Sequence, residues 1–212
     1  MFEETPWRVS MFLKHAESGV FLDYSELSHL TQWRASMRTL GFCTMVLLTI
    51  SLSIADMPTK GTRADMLFWI EDAEKKLIGL AEAMPQEKYS WRPMEGVRSV
   101  SEVFMHVATA NMGIPTMIGI DPPMKMDRDM ATKITAKAEV VDMLRKSFAH
   151  VKEAIGKVSD EDLDKATKMF GQETTYRNVL FLLTTHAHEH LGQSIAYARS
   201  NGVTPPWSMS QE

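Results

Sequence analysis

The sequence contains a single cysteine, Cys43, among its 212 residues. One thiol excludes an intrachain disulfide and any zinc or iron–sulfur site built from cysteines. There is no excess of basic residues, since 23 Lys and Arg stand against 27 Asp and Glu, and the net charge of −4 argues against a nucleic-acid-binding surface. Aromatic residues make up only 8% of the chain, whereas methionine occurs 17 times, a composition that favours a helical core over a β-sandwich. Glycine-rich phosphate loops and nucleophile elbows are also absent from the sequence.

The longest apolar run covers residues 40–52 and is too short for a membrane span, which needs roughly 20 residues. A methionine and an arginine stand just before it, and the small residues Ser53 and Ala55 follow it. A start methionine, a positive charge, a short apolar stretch and small residues before the cleavage point are typical of a secretory signal peptide. The sequence therefore predicts a signal at 37–55, cleaved near Ala55, and an exported protein (periplasmic or secreted) with no stable membrane span.

Residues 1–36 precede this signal, although an export signal normally starts at the N-terminus. We interpret them as the product of a mis-set upstream start codon or as a disordered extension. The alternative is that 40–54 forms a buried helix and 1–36 is a genuine extension, in which case the protein is cytoplasmic. Under the first interpretation, residues 56–212 form one compact domain.

After residue 60, apolar residues recur with helical spacing in four segments. These segments lie at 62–84, from residue 99 onward, at about 137–158 and at about 174–200. Ser99 and Glu102 form the S-x-x-E pattern of a capping box, which predicts where the second helix starts. Strands are not expected, because no segment there alternates between apolar and polar residues. The predicted fold class is therefore all-α, a four-helix bundle with at least one long crossover connection.

Three of the seven histidines fall within five residues of the last predicted helix. His186 and His190 are four residues apart, so they lie on one helical face, about 6 Å apart along the axis. Two imidazoles at this spacing are the usual two-ligand unit for a divalent metal on a helix, with two ordinary histidines as the alternative. His188 is rotated by roughly 200° from His186 and cannot join the pair from that face.

His106 lies on the apolar face of the second predicted helix, so it points towards the core. A lone histidine on such a face is usually a satisfied core residue. Metal sites in bundles, however, are built from inward side chains of facing helices, which would bring His106 to His186 and His190. His150 in the third predicted helix is, by contrast, expected at the surface.

Two motifs resemble those of the DinB/YfiT-like superfamily. Residues 91–107 contain Trp-Arg-Pro, then Gly-Val-Arg-Ser-Val-Ser-Glu-Val and His-Val, and they resemble the second-helix motif of that family. Residues 186–193 resemble its C-terminal H-x-x-x-H-x-G-Q signature. The resemblance covers about residues 62–207. It implies an up–down–down–up four-helix bundle, commonly dimeric, that binds a metal through three histidines, here His106, His186 and His190.

The groups around these histidines give further expectations. Three neutral imidazoles leave at least one coordination position open for water or substrate, which is typical of a catalytic site. Glu189 and Gln193 lie near the pair along the helix, where they would orient a ligand imidazole, with solvated or cross-helix roles as the alternative. Gly192 is expected to let a neighbouring helix approach closely.

The leading functional hypothesis is an enzyme that uses a divalent metal to activate water, as a hydrolase, or a thiol, as an S-transferase, against a small-molecule substrate. An exported location favours hydrolysis, because cytosolic thiol cofactors are scarce outside the membrane. The alternative is a non-catalytic metal-binding or metal-stabilised bundle. Zinc or nickel is the expected metal, and iron or copper also suits three imidazoles. No general base can be assigned, no nucleic-acid partner is expected, and a homodimer is implied by the resemblance alone.

Overall fold

The computed structural model describes residues 57–127 and 129–211. Four long helices occupy most of this part of the chain: α1 (Thr62–Ala83), α2 (Val100–Gly113), α4 (Lys137–Lys157) and α5 (Tyr176–Ser200). A one-turn helix, α3 (Met130–Lys133), lies in the connection between α2 and α4. Short 3₁₀ segments cover Gln86–Lys88, Ile114–Ile118, Glu161–Asp164 and Pro206–Gln211. The predicted all-α class and four-helix bundle are confirmed.

The start of α2 is fixed by the capping box that the sequence predicted. The Ser99 hydroxyl accepts a hydrogen bond from the backbone N–H of Glu102 at 3.3 Å, and the Glu102 carboxylate accepts one from the backbone N–H of Ser99 at 2.7 Å. This backbone hydrogen bond is the main cause that lowers the pKa of Glu102. A cap of this kind stabilises a helix by about 1 kcal/mol. The cap fixes where the helix begins, about two turns before His106.

The helices form a ring in which α1 and α2 occupy opposite corners, because α1 packs against α4 and α5 and α2 packs against the same two helices. α1 and α5 run parallel. Near the start of both, Arg177 donates a hydrogen bond to the Thr62 hydroxyl at 3.5 Å. Further along both, the Nε2 atom of His188 lies 3.9 Å from a carboxylate oxygen of Asp72.

α4 runs antiparallel to α1. Lys152, late in α4, forms an ion pair of 2.7 Å with Glu74 in the middle of α1, whereas Arg145, earlier in α4, pairs with Glu82 near the end of α1 at 2.5 Å. α2 runs antiparallel to α5, as the contacts at the histidines show below. The order is therefore up–down–down–up. The parallel neighbours α2 and α4 are joined by the long connection 114–136, which the fold class predicted.

The core lies between the four long helices and is almost entirely apolar. Its largest fully buried side chains include Ile70, Leu77 and Leu80 of α1, Met105 of α2, Leu144, Phe148 and Ile155 of α4, and Leu180 and Leu183 of α5. Burial of one such side chain contributes roughly 1.5–3 kcal/mol. All of them lie in the four segments where apolar residues recur with helical spacing.

A β-hairpin precedes α5, and the expectation of no strands after residue 60 was wrong at this point. The antiparallel strands β1 (Ala166–Met169) and β2 (Gln172–Thr175) are joined by a two-residue turn at Phe170 and Gly171. Both turn residues have positive φ, 51° and 82°, as a type I′ turn requires. Neither strand is buried on one face, so no apolar alternation marks them in the sequence. The last helix accordingly begins at Tyr176, two residues later than predicted.

None of the helices within the described residues is long and apolar enough to cross a membrane. The predicted signal at 37–55 and the segment 1–36 lie outside the described residues, so both assignments stay predictions. The same holds for the predicted domain boundary near residue 56.

Candidate metal centre

Three histidines converge between the antiparallel helices α2 and α5. The Nε2 atoms of His106 and His186 lie 3.1 Å apart, and the His190 ring centroid lies 4.7 Å from that of His106 and 4.5 Å from that of His186. One ring nitrogen from each residue falls within 4.8 Å of the other two. The three residues that the sequence proposed as metal ligands are thus brought together in space.

The spacing of these nitrogens suits a metal ion. Two imidazole nitrogens bound to one tetrahedral zinc at about 2.0–2.1 Å would lie roughly 3.3 Å apart, close to the 3.1 Å that separates His106 and His186. Among the described residues, no fourth histidine, cysteine or carboxylate joins the group. The arrangement therefore offers three histidine ligands, the number that is typical of catalytic zinc sites.

Two of the three imidazoles are held in the neutral form that a metal requires. Burial lowers the pKa of His106 to about 4, with the positive charge of Arg98 and the other two histidines as further causes. Burial also lowers the pKa of His186 to about 4, followed by the effects of His190 and Arg98. At neutral pH both rings therefore carry a free lone pair, and metal binding need not displace a proton from either.

The ring of His190 is oriented by a hydrogen-bonded relay. Its Nδ1 atom lies 2.8 Å from the Gln193 side-chain oxygen, the Gln193 amide nitrogen donates to the Tyr197 hydroxyl at 3.2 Å, and Tyr197 donates to the backbone carbonyl of Arg98 at 3.2 Å. A backbone carbonyl can only accept, so the direction of every bond in the relay is set from that end. Nδ1 of His190 must donate its proton to Gln193, which leaves the lone pair on Nε2 for a metal.

Glu189 and Gln193, which were expected to orient a ligand imidazole, lie in different environments in the structure. Gln193 is half-buried and contacts His190 directly, as described above. Glu189 is exposed and makes no hydrogen bond or ion pair among the described residues. Its negative charge opposes the lowering of the His106 pKa and is the smallest of the effects on that group. Of the two, only Gln193 is in position to orient a ligand ring.

The expectation for Gly192 was wrong. A Cβ atom at this position would meet nothing within 4 Å, so no neighbouring helix approaches there closely. Gly192 is exposed, on the opposite side of α5 from the buried His190.

The other two histidines of the described chain lie apart from the centre. His188 faces α1, where its ring packs edge-on against Trp69, and its Nδ1 atom contacts the backbone carbonyl of Thr184 at 2.8 Å. Its predicted exclusion from the pair is confirmed. His150 was expected at the surface but is only 3% exposed, because α4 packs against both α1 and α2 and its buried stripe is correspondingly broad.

Two residues at the centre were missed by the sequence analysis. Tyr197 was not singled out, although it lies one turn after Gln193 and so shares its face of α5. Arg98 was noted only as part of a motif, although its carbonyl anchors the relay and its charge acts on two of the histidines. The four-residue spacing of Gln193 and Tyr197 could have indicated a hydrogen-bonded pair on one face of the helix. No local pattern could have indicated the contact between Tyr197 and Arg98, because these residues are 99 positions apart in the sequence.

The comparisons with known proteins agree with this description. The family model of the DinB superfamily matches residues 70–194, a segment that includes all three histidines. No curated protein matches the sequence significantly. Among solved structures, a DinB-like protein from Bacillus cereus is 21% identical with a TM-score of 0.58, over 65% of this chain and 93% of its own.

A DinB-like protein from Bacillus subtilis is 20% identical with a TM-score of 0.53, over 66% of this chain and 93% of its own. A conserved protein from Enterococcus faecalis is 16% identical with a TM-score of 0.55, over 66% of this chain and 96% of its own. These likenesses establish the fold, and the family model covers more than half of the sequence. The chain belongs to the DinB superfamily.

Proposed function

We propose that this protein is a metal-dependent enzyme whose centre is formed by His106, His186 and His190. The observation that carries the proposal is the convergence of three ring nitrogens within 4.8 Å with no fourth histidine, cysteine or carboxylate among the described residues. A structural zinc site normally has four protein ligands, whereas a catalytic site has three and keeps a position for water or substrate.

The residues present fit a divalent ion of the zinc or nickel type. Neutral imidazole is a good ligand for zinc, nickel, copper and iron, and the relay through Gln193 presents the lone pair of His190 on Nε2. The Nε2 atom of His186 is the one that faces His106, whereas its buried Nδ1 atom has no hydrogen-bond partner within the described chain. An ion bound there would act as a Lewis acid, lowering the pKa of a bound water or thiol and polarising a substrate carbonyl.

The chain's own residues contribute position and charge. The helices α2 and α5 hold the ligands away from the frayed ends, since each ligand is at least six residues from either end of its helix. Arg98 supplies a positive charge at the edge of the centre, and the exposed Glu189 supplies a negative one. Whether water or a thiol is the nucleophile depends on location: an exported protein would meet few thiol cofactors, so the predicted signal at 37–55 favours hydrolysis.

The first experiment is metal content by elemental mass spectrometry on the untagged full-length chain, with His186→Ala and His190→Ala variants. His188→Ala is the matched control, because His188 lies in the same segment but faces Trp69 on α1. About one equivalent of metal is expected in the parent and in the control, with little in the two ligand variants. Equal metal content in all four proteins, or none after reconstitution at neutral pH, would refute the proposal.

The second candidate is a non-catalytic metal that stabilises the bundle. It is favoured by the sequence separation of the ligands, because an ion that joins positions 80 residues apart closes a long loop. The two candidates differ in the remaining coordination position. A cobalt-substituted enzyme should change its visible spectrum when azide is added, whereas a closed structural site should not.

A further inference from the structure

Arg98 is a cation without a counter-ion beside the histidine centre. It stands just before the Ser99 cap of α2, its side chain is exposed, and within the described chain it has neither a hydrogen bond nor an ion pair from its guanidinium. Arg92, six residues earlier, is different: it donates to the Val97 carbonyl at 2.8 Å and lies 3.3 Å from the Glu102 carboxylate. The loop before α2 thus holds one neutralised arginine and one that is not.

Both arginines line a cavity of about 270 Å³ between this loop and α3. Its lining also includes Glu102 and Thr132. The three histidines do not line this cavity, but Glu102 precedes His106 by four residues on α2, so these two side chains share one helical face and lie one turn apart. The backbone of Arg98 is held at the same place by Tyr197, at the end of the relay that begins at His190.

The charges around this cavity favour an anion. Arg92 and Glu102 offset each other, and the remaining formal charge of the lining is that of Arg98. A divalent ion at the centre would add two further positive charges, of which the exposed Glu189 balances only part.

We propose that Arg98 is a specificity residue that binds a carboxylate group of the substrate next to the metal centre. The proposal rests on the proposed function and names the class of its substrate: a small molecule with a carboxylate near the group that reaches the metal. The planar guanidinium matches a carboxylate with two parallel hydrogen bonds. A phosphate dianion suits the cavity less well, because Glu102 lines it too and would repel the second charge.

The test uses the full chain with cobalt in place of the native metal and follows the visible spectrum during titration. The probes are 3-mercaptopropionate and 3-mercapto-1-propanol, two thiols of equal length that differ in the carboxylate. The proteins are the parent, Arg98→Gln, Arg98→Lys and Arg199→Gln. Arg199 is the matched control, since it is also exposed and lacks an ion pair among the described residues, but it lies on the opposite side of α5 from Tyr197 and lines a separate cavity.

The parent and Arg199→Gln should bind the carboxylate thiol about tenfold more tightly than the alcohol, roughly the value of one charge-assisted hydrogen bond at an exposed site. Arg98→Gln should lose this preference while its affinity for the alcohol stays the same. Arg98→Lys should keep part of the preference, because it keeps the charge.

An equal preference in the parent and in Arg98→Gln would overturn the proposal and leave the proposed function intact. Loss of the preference in Arg98→Lys as well as in Arg98→Gln, with a changed affinity for the alcohol, would indicate a disturbed loop and would also overturn it. If neither thiol changes the spectrum of the parent, this inference is overturned, and the azide titration described above decides separately whether the proposed function stands.

Discussion

The relay from His190 to the backbone of Arg98 predicts a specific pattern of metal affinities. Gln193→Leu removes the only acceptor for the Nδ1 proton of His190 that the described residues provide, at 2.8 Å. The ring then loses its fixed orientation, and the buried N–H loses its partner. Groups that orient a metal-binding histidine typically contribute 10–100-fold to affinity, so we expect a loss of this size, about 1.4–2.7 kcal/mol.

Tyr197→Phe perturbs the same relay one step further away. The hydroxyl makes two hydrogen bonds, both at 3.2 Å and therefore at the long end of the normal range. Gln193 keeps its contact with His190 but loses the partner that fixes the direction of its amide. A net value of about 1 kcal/mol for one hydrogen bond gives an expected loss of about fivefold in metal affinity.

The decisive measurement is the double variant. If Tyr197 acts through Gln193, then Tyr197→Phe should have almost no effect once Gln193 is Leu, and the coupling energy should be about 1 kcal/mol. Affinities are obtained by competition with a coloured chelator at neutral pH, with circular dichroism to verify the fold. Tyr176→Phe is the matched control, because Tyr176 lies on the same helix and its hydroxyl is outside the relay. Losses that simply add in the double variant would refute the relay and assign Tyr197 a packing role.

Four further outcomes follow from the described contacts. Glu189→Gln should leave metal affinity within about threefold, because an exposed charge without a hydrogen bond contributes little; a loss of 100-fold would make it a direct partner. Phe170→Asn should stabilise the protein by about 1 kcal/mol in urea denaturation, since Phe170 adopts φ 51° at an exposed turn where Asn is favoured, and a loss of stability would show that the ring has a packing role. In the metal-free protein, the pKa values of His106 and His186 are about 4, below the ordinary 6.5, so between these values the unfolded chain binds more protons than the folded one. The free energy of unfolding should therefore be highest above about pH 6.5. It should fall towards pH 4 by about 1–2 kcal/mol per histidine, after allowance for partial exposure. Burial also lowers the pKa of His150, so His150→Leu should flatten this slope with little change at neutral pH, and an unchanged slope would exclude it as a contributor.

The parts of this structure that were predictable from the sequence are those with a local signature. The capping box at Ser99 gave the start of α2 to the residue, and helical spacing gave α1, α4 and most of α5. The meeting of His106 with His186 and His190 was predictable because inward side chains of neighbouring helices must share the bundle interior. In each case a short-range rule was sufficient.

The parts that were missed depend on partners distant in sequence. The hairpin has no apolar face, and its turn carries Phe170 where Asn or Gly is expected. The burial of His150 follows from α4 packing against two helices at once, which widens its buried stripe beyond the one that spacing suggests. The hydrogen bond from Tyr197 to Arg98 joins the C-terminal end of α5 to the residue just before the N-terminal end of α2, and these two ends meet only because the helices are antiparallel. None of these has a pattern within one segment.

The long sequence separation between His106 and His186 has a consequence for the order of events during synthesis. When α2 leaves the ribosome, it carries one imidazole, which by itself holds metal weakly. The pair on α5 follows only after α4 and the hairpin have been made, 80 residues later. A complete centre therefore exists only once the last helix has docked, so metal loading would report a finished fold, and a chain that ended before α5 would lack two of the three ligands.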